Sequence, residues 1–278
     1  MGNLKRKLER LRLIRENNER ASREVVEIWD SVISKNLENL GKERYVVLEQ
    51  ICIAALDCFN LGIAEQCIRE LYDEFPNSTR VRVLESMLYE ADENYKSALQ
   101  ILNDIIKQDV NNSSARKRKV AIYKSLGKNA EAIKELTEYL KIFAADVECW
   151  QELSEMYINE HDYNKAAFCV EELILHNPHN HLLYQRYADV RYTQGGLENI
   201  ELARTYYYQA FLLNPRNMRA LYGIYLASTA IINNSKNLSA KKKEMTNKII
   251  DWCLREIRNK YAEKGISDLE EQLSALEI

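Results

Sequence analysis

Apolar residues recur three or four positions apart along most of this chain, which is the spacing of amphipathic helices. The spacing predicts helical structure over residues 3–40, with a stop at Leu40-Gly41. Near the other end it predicts a helix from Met218 to Ile232 and a second from Lys241 to Ala262, joined by a polar loop. The residues from Gly265 onward are expected to form a short helix or a disordered tail.

Between these flanks the pattern itself repeats, and small residues mark its phase. Four of them follow one another at a constant interval, and a fifth comes after a slightly longer one: Ala64, Ala98, Ala132, Ala166 and Ala203. All three prolines have the same position relative to one of these alanines: Pro76, Pro178 and Pro215. A 34-residue period with W-x₂-L-G-x₂-Y, then A-x₃-F, then P is that of tetratricopeptide repeats. The unit that fits best contains Trp150, Tyr157 and Ala166, and the chain resembles this family over about residues 45–217.

The resemblance implies an all-α protein, a right-handed α-solenoid of tetratricopeptide repeats with helical caps, because each repeat buries its apolar face only against its neighbours. The predicted repeats are residues 45–78, 79–112, 113–146, 147–180 and 181–217. A cap with a basic start precedes them (1–44), and a helical pair (218–262) and a tail (263–278) follow. The fifth repeat has three extra residues, which we place near residues 194–197 and expect to widen its internal loop.

Each recurrent position has a physical reason. The alanines let the second helix of a repeat approach the first, and the facing residues on the first helix are mostly small as well: Cys52, Ser86, Ser154 and Ala188, with Val120 the exception. Tyrosines recur on the first helix at the same interval and are expected to pack in the core beside this contact: Tyr89, Tyr123 and Tyr157. The prolines are expected to end the second helices, because proline cannot continue the hydrogen-bond ladder.

Composition supports a helical protein and excludes several classes. The 278 residues include only 8 glycines and 3 prolines, too few for the many turns of a β-sandwich or barrel. The fractions of hydrophobic (46%) and charged (29%) residues are those of a globular chain. A net charge of −3 argues against a dedicated nucleic-acid binder. No apolar signal segment follows the basic start, and the longest weakly polar run, Ala220–Ile232, is too short for a membrane helix.

Catalytic and metal signatures are weak. The six cysteines form no C-x-x-C pair and are expected to be free, buried and inert thiols. Three histidines lie within residues 176–181, but their spacing is not the i, i+4 of a helical zinc pair, so we expect a turn between repeats and no metal. No phosphate-binding or nucleophile-elbow motif is present. We therefore expect no cofactor and no enzymatic activity.

Charge clusters leave two interpretations open. Residues 1–23 have a local excess of five positive charges, and further basic runs are Arg116–Lys119 and Lys241–Lys243. They form either solvated helix faces or contacts with acidic partner segments or lipid headgroups. A clamp for the C-terminal carboxylates of heat-shock proteins is not expected, because Ala121, Glu152 and Leu182 occupy positions where such clamps have Asn, Asn and Lys.

A narrower resemblance extends over about residues 45–232. Surface and loop residues in the fourth and fifth repeats are similar to those of subunit 2 of the endoplasmic reticulum membrane protein complex: Tyr157–Cys169, Asn177–His181, Tyr192–Asn199 and Arg216–Leu221. This family implies a non-catalytic scaffold in a multi-subunit insertase that places transmembrane segments, including tail-anchored ones, into the membrane. It further implies a peripheral position on the cytoplasmic face, with membrane association only through partners. The implied partners are the cytosolic parts of subunits 3 and 5 and the soluble subunit 8 or 9.

Partner-binding residues can be selected only from helix phase. The first helices of the fourth and fifth repeats are expected to present five polar side chains to a groove: Glu152, Glu155, Gln185, Arg186 and Asp189. The alternative function is a free cytosolic tetratricopeptide adaptor that binds short peptide segments, stable without partners. An enzyme would need a metal or an activated nucleophile, and the sequence offers no signature of either.

Overall fold

The computed structural model describes residues 2–234 and 239–263, and these residues contain fourteen α-helices and no strand. The all-α class expected from the sequence is therefore confirmed. The chain divides into two compact units, Met1–Tyr139 and Leu140–Ile278. Of the predicted tail, everything from residue 264 onward lies outside the described residues, as do residues 235–238 of the predicted polar loop.

The first unit begins with helices α1 (Gly2–Glu16) and α2 (Ser22–Ile28). The second of these continues as a π-helical turn, Trp29–Ile33, and a 3₁₀ turn at Leu37–Leu40 follows. Their apolar faces are buried with those of the next helices in one core. Gly41 ends the segment at a φ of +55°, as the predicted stop requires.

Paired helices follow in the first unit: α3 (Glu43–Asp57), α4 (Leu61–Glu74), α5 (Thr79–Ala91), α6 (Tyr95–Gln108) and α7 (Ser113–Ser125). Helix α8 (Asn129–Ile142) extends from the first unit into the second. The second unit continues with α9 (Val147–Asn159), α10 (Tyr163–His176), α11 (His181–Gln194), α12 (Leu197–Leu213), α13 (Met218–Asn234) and α14 (Ala240–Ala262). Each helix from α9 to α13 packs against the next one in sequence.

The five phase-marking alanines are fully buried, and the contact around them is short. In the first repeat the Sγ of Cys52 lies 3.9 Å from the carbonyl oxygen of Ala64. In the fourth, the hydroxyl of Ser154 donates to the carbonyl of Ala166 at 3.3 Å. Small side chains on both helices thus let one backbone come within hydrogen-bonding distance of the other helix's side chain.

The turn inside each repeat has a left-handed residue at a constant phase. At this phase φ is positive in every repeat, with values of 57°, 57°, 68°, 59° and 75° at Phe59, Glu93, Gly127, His161 and Gly195, and in the fifth repeat Gly196 is positive as well. Only two of the five residues at this phase are glycines, which adopt this conformation without a steric penalty. The second helix begins two residues later in every repeat.

The three second helices that are followed by a proline end just before it, as expected, but proline is not required for a helix to end at this phase. Helices α4, α10 and α12 end two residues before a proline, but α6 also ends two residues before Val110 and α8 two residues before Ala144. In the two repeats without proline the following helices are capped: Asn112 accepts from the backbone N–H of Ala115 at 3.0 Å, and Asp146 from that of Cys149 at 3.2 Å. Side-chain caps of this kind fix where the next helix starts.

The internal loop of the fifth repeat is not widened, contrary to expectation. Helix α12 begins at Leu197, which has the same phase in its repeat as Tyr163, the first residue of α10. Helix α12 has 17 residues where α10 has 14, so the three extra residues lengthen the helix. Ile200 takes the phase of the earlier alanines, and the buried Ala203 lies nearly one helical turn further on.

Candidate interaction surfaces

The predicted partner-binding residues lie on two first helices of the second unit. Glu152 and Glu155 are on α9, and Gln185, Arg186 and Asp189 are on α11. Glu155 and Arg186 are exposed, and Glu155 accepts a hydrogen bond from the Gln151 side chain at 3.4 Å. Glu152 is half-buried. These residues remain predicted contacts, and the two exposed ones are the most accessible to a partner.

Gln185 and Asp189 are engaged within the chain. The side-chain amide of Asn217 donates to Gln185 at 2.9 Å. Asp189 accepts from the hydroxyl of Tyr207 at 2.6 Å and from Arg219 at 3.0 Å. Burial and the hydrogen bond to Asp189 raise the pKa of Tyr207 well above its ordinary value. Both residues therefore connect α11 to the helices that follow it, and a partner could reach them only by sharing these bonds.

A second polar network fixes α11 to α10, and no sequence pattern indicated it. Tyr187 is buried, and its hydroxyl donates to Glu171 at 2.6 Å while accepting from Arg191 at 3.0 Å. Burial, with the bond to Glu171, raises the pKa of Tyr187 to about 12. The Arg191 guanidinium also lies over the Tyr187 ring, 5.2 Å from its centroid. The network makes this part of the unit a firm support rather than an adaptable surface.

In the first unit a groove of about 620 Å³ lies along the exposed face of α3. Arg80 of α5 bonds to Glu49 at 2.6 Å, and Arg20, between α1 and α2, bonds to Asp57 at 3.0 Å. Sequence reasoning missed this surface because it took the groove face only from the fourth and fifth repeats. The available signal was the i, i+4, i+8 spacing of Glu49, Ile53 and Asp57, which places them on one helix face.

A half-buried ion pair borders this groove. The Nε of Arg118 on α7 is 3.0 Å from the Oε1 of Glu90 on α5, at an angle that leaves both atoms without a hydrogen bond. Burial raises the pKa of the Glu90 carboxyl to about 7, and the opposing effect of Arg118 is smaller. The protonation state of Glu90 is therefore linked to the packing of α5 against α7.

Several cations of the basic runs have partners within the chain, and this favours neither of the two interpretations left open. On α7, Lys119 bonds to Glu135 at 2.7 Å and Arg116 to the carbonyl of Val110 at 2.8 Å. In the N-terminal segment Arg10 bonds to Glu24 at 2.8 Å and 2.9 Å. These contacts attach the helices to their neighbours, and the remaining cations leave both interpretations open.

Cysteines and histidines also have structural surroundings. Five of the cysteines are buried as expected, but Cys58 is exposed, so the expectation was wrong for that residue. Burial raises the pKa of Cys52, Cys169 and Cys253 to about 12, which makes these thiols weak nucleophiles. His181 forms side-chain hydrogen bonds with two asparagines, 2.9 Å to Asn214 and 3.0 Å to Asn217.

Within residues 2–234 and 239–263, no three or more histidine, cysteine or acidic side chains are arranged to hold a metal ion. None of the helices in that part of the chain has the length and apolar character to cross a membrane.

Comparison with solved structures agrees with the fold. The C-terminal part of a TPR repeat-containing protein from Cytophaga hutchinsonii matches with a TM-score of 0.59, covering 90% of this chain and 93% of that one. The sequence identity is 13%, so this likeness establishes the fold alone.

Comparison with sequences identifies the family. Residues 43–196 match the family described as the EMC2 TPR-like repeat domain. A relative from Xenopus tropicalis named ER membrane protein complex subunit 2 is 48% identical over 271 residues, which is 97% of this chain and 91% of the relative. A relative of the same name from Dictyostelium discoideum is 31% identical, over 91% of this chain and 82% of its own length. The chain therefore belongs to the family of ER membrane protein complex subunit 2, whose tetratricopeptide fold it has.

Proposed function

We propose that this protein is a non-catalytic scaffold subunit of the endoplasmic reticulum membrane protein complex, on the cytoplasmic face of the membrane. It holds cytosolic parts of other subunits, among them subunits 3 and 5 and subunit 8 or 9. In this way it supports the insertion of transmembrane segments, including tail-anchored ones. The observation that carries the proposal is the 48% identity to a relative of that name over 97% of the chain.

The packing supports a scaffold role. The helices are closely spaced at fully buried alanines and braced by buried polar networks such as the one around Tyr187. Such packing holds exposed side chains at fixed spacings, which is what a protein needs to hold extended segments of other proteins. The raised pKa values of the buried thiols also argue against a cysteine nucleophile at those positions.

The test is affinity purification of the tagged full-length chain from detergent-solubilised membranes, followed by mass spectrometry. We expect the other subunits of the complex to co-purify in stoichiometric amounts. If the chain is instead recovered as a stable monomer from the soluble fraction without them, the scaffold proposal fails and the free adaptor remains.

The predicted contact residues can be tested in the same assay. Reversing the charges of the exposed pair, Glu155→Lys with Arg186→Glu, should reduce the recovery of at least one subunit, because rim charges steer and orient partners. Arg69→Glu is the matched control, since Arg69 is an exposed charge on a second helix. Equal recovery with both variants would remove these two residues from the interface.

A further inference from the structure

Helix α13 has an apolar row on the face where a further helix of the repeat pattern would lie. The row consists of Met218, Tyr222 and Leu226, which follow one another at i, i+4 spacing and therefore share one side of the helix. Leu226 is 49% exposed, and the other two are half-buried. The row thus leaves apolar surface in contact with water beside the last helix pair of the described residues.

The same three positions of α11 contact the start of the next first helix. Counted from the first residue of the helix, they are His181, Gln185 and Asp189. Asn217, the N-cap of α13, donates to Gln185 at 2.9 Å and lies 3.0 Å from a ring nitrogen of His181. Arg219, the second residue of α13, donates to Asp189 at 3.0 Å. This side of a first helix is therefore where the following first helix begins.

The first unit has the same arrangement. Arg80 is the second residue of α5 and bonds to Glu49 of α3 at 2.6 Å. Glu49 has in its repeat the phase that Gln185 has in the fifth. Two junctions, one in each unit, thus place the second residue of a first helix against the first helix before it.

The chain continues after α14 with a segment whose sequence has the signals of one more first helix. Residues 264–278 lie outside the described part of the chain and read KGISDLEEQLSALEI. Ser267 and Glu270 match the S-x-x-E pattern of a capping box, and further acidic residues fall in the first turn, where the helix dipole favours them. Leu269, Leu273 and Leu276 then recur at the spacing of one helix face.

The position of Ser267 along the chain also fits. At each junction between the described repeats, the N-cap residue comes four residues after the end of the preceding second helix: Ser78, Asn112, Asp146, Asn180 and Asn217. Ser267 comes five residues after Ala262, the last residue of α14, and helix ends vary by one residue. With Ser267 as the N-cap, Leu269 is the second helical residue, which is the position of Arg80 and Arg219.

We propose that residues 267–278 form a helix that packs on the row Met218, Tyr222 and Leu226 of the same chain. Both sides of the junction are then apolar where the fifth repeat has an ion pair, because Leu226 stands at the position of Asp189 and Leu269 at that of Arg219. The leucine row is about 11 Å long and the row on α13 about 12 Å, so their lengths match. The opposite side of the segment is polar, as a helix with an outer face in water requires: Glu270, Glu271, Ser274 and Glu277.

Hydrogen exchange of the full-length chain, measured by mass spectrometry, tests the proposal. The amides of residues 271–278 should exchange at least tenfold more slowly than those of a synthetic peptide of residues 264–278, because an isolated helix this short is marginal in water. Leu273→Asp should remove this protection. Ser274→Asp is the matched control, since it places the same charge on the polar side of the segment, and it should leave the protection unchanged.

A second pair of variants tests the row on α13. Leu226→Asp should also remove the protection of residues 271–278. Leu212→Asp on α12 is its control, since Leu212 is 54% exposed and lies outside the row, and it should have no effect. Thermal melting checks that both variants fold. If Leu226→Asp does not fold, a benzophenone amino acid is placed at position 273 instead, and crosslinks on α13 support the proposal while crosslinks confined to other helices refute it.

Several results would overturn the proposal. Exchange as fast as that of the free peptide shows that the segment is not packed on the chain, and protection that survives both Leu273→Asp and Leu226→Asp places it elsewhere. Protection that is lost on dilution from about 20 µM to about 0.5 µM assigns the row to the segment of a second copy. Protection that appears only when other subunits are bound assigns the segment to a partner. The test uses the chain alone, so its outcome does not depend on the scaffold role.

Discussion

Gly223 lies in helix α13, and two rules predict opposite changes in the free energy of unfolding when it is replaced by alanine. In the interior of an exposed helix, replacing glycine by alanine stabilises by about 0.8–1 kcal/mol. Here a Cβ on Gly223 would lie 2.6 Å from two carbons of the Tyr207 ring and 2.7 Å from a third. Non-bonded carbons are optimally about 3.5–4.0 Å apart, so the ring would have to move by about 1 Å.

The ring of Tyr207 is not free to move. It is buried, and its hydroxyl donates to Asp189 at 2.6 Å. Asp189 is itself held by Arg219 at 3.0 Å. Overpacking of this kind costs about 1–3 kcal/mol, and stretching a hydrogen bond to a carboxylate adds about 1 kcal/mol. After the gain in helix propensity of about 1 kcal/mol, Gly223→Ala should destabilise the second unit by roughly 1–3 kcal/mol.

Urea unfolding followed by circular dichroism measures this change, and Gly62→Ala is the matched control. Gly62 lies in the first turn of α4, and no atom comes within 4 Å of an added Cβ, so that variant should be neutral or slightly stabilising, by up to about 0.5 kcal/mol. In a Tyr207→Ala background, Gly223→Ala should lose its cost, because the obstructing ring is gone. If Gly223→Ala stabilises the wild type as much as Gly62→Ala does, the close contact with Tyr207 is not as described.

Three further predictions test other parts of the reasoning. Ala166→Leu should cost about 1–3 kcal/mol in urea unfolding, because Ala166 is fully buried and its carbonyl is in contact with Ser154 of the neighbouring helix, whereas Lys242→Ala on the surface should stay within about 0.5 kcal/mol. Glu93→Gly should raise the free energy of unfolding by roughly 0.5–1 kcal/mol, since Glu93 has a φ of +57°; a lower melting temperature would contradict this. Burial raises the pKa of Glu90 from 4.5 to about 7, so the folded state holds this proton more tightly than the unfolded state. The stability that Glu90 contributes is present below about pH 4.5 and is lost as the pH rises through 7. The free energy of unfolding of wild type relative to Glu90→Gln should therefore fall by roughly 1–2 kcal/mol between pH 5 and pH 8. An equal difference at both pH values would refute the assignment.

The fold could be predicted because its main contact is local and periodic. The side chain of Ser154 meets the carbonyl of Ala166 only 12 residues away, so one small residue on each helix is enough to mark the contact in the sequence. The left-handed turn has the same period, but the sequence revealed it only at Gly127 and Gly195. At Glu93 and His161 the packing of the two helices imposes the conformation on residues that do not favour it.

The insertion in the fifth repeat shows what a residue count leaves open. The count indicates three extra residues, and Gly195-Gly196 made the loop the natural place for them. A helix can accommodate three extra residues almost as well as a loop can. Three residues turn the helix by about 300°, only about 60° short of a full turn, so the residues that follow keep nearly the same face. The buried residue after one more turn, Ala203, then keeps the small side chain that the close contact needs.

The candidate surfaces depend on pairings between residues that are distant in sequence, and helix phase does not contain that information. Phase selects Asp189 as a polar position of α11, but it does not reveal the bonds to Tyr207 and Arg219, 18 and 30 residues further on. The same limit applies to α3, where the row Glu49, Ile53, Asp57 is visible in the sequence while the exposed arginines that cover it come from 31 and 37 residues away. An acidic side chain in a groove can bind a partner only if the arginine that is paired with it can move away. The exposed fraction of that arginine, rather than of the carboxylate, is therefore the quantity to compare. By that measure Asp189 resembles Glu49, since the side chain of Arg219 is 71% exposed and that of Arg80 is 76% exposed. What distinguishes Asp189 is its second hydrogen bond, from the hydroxyl of the buried Tyr207.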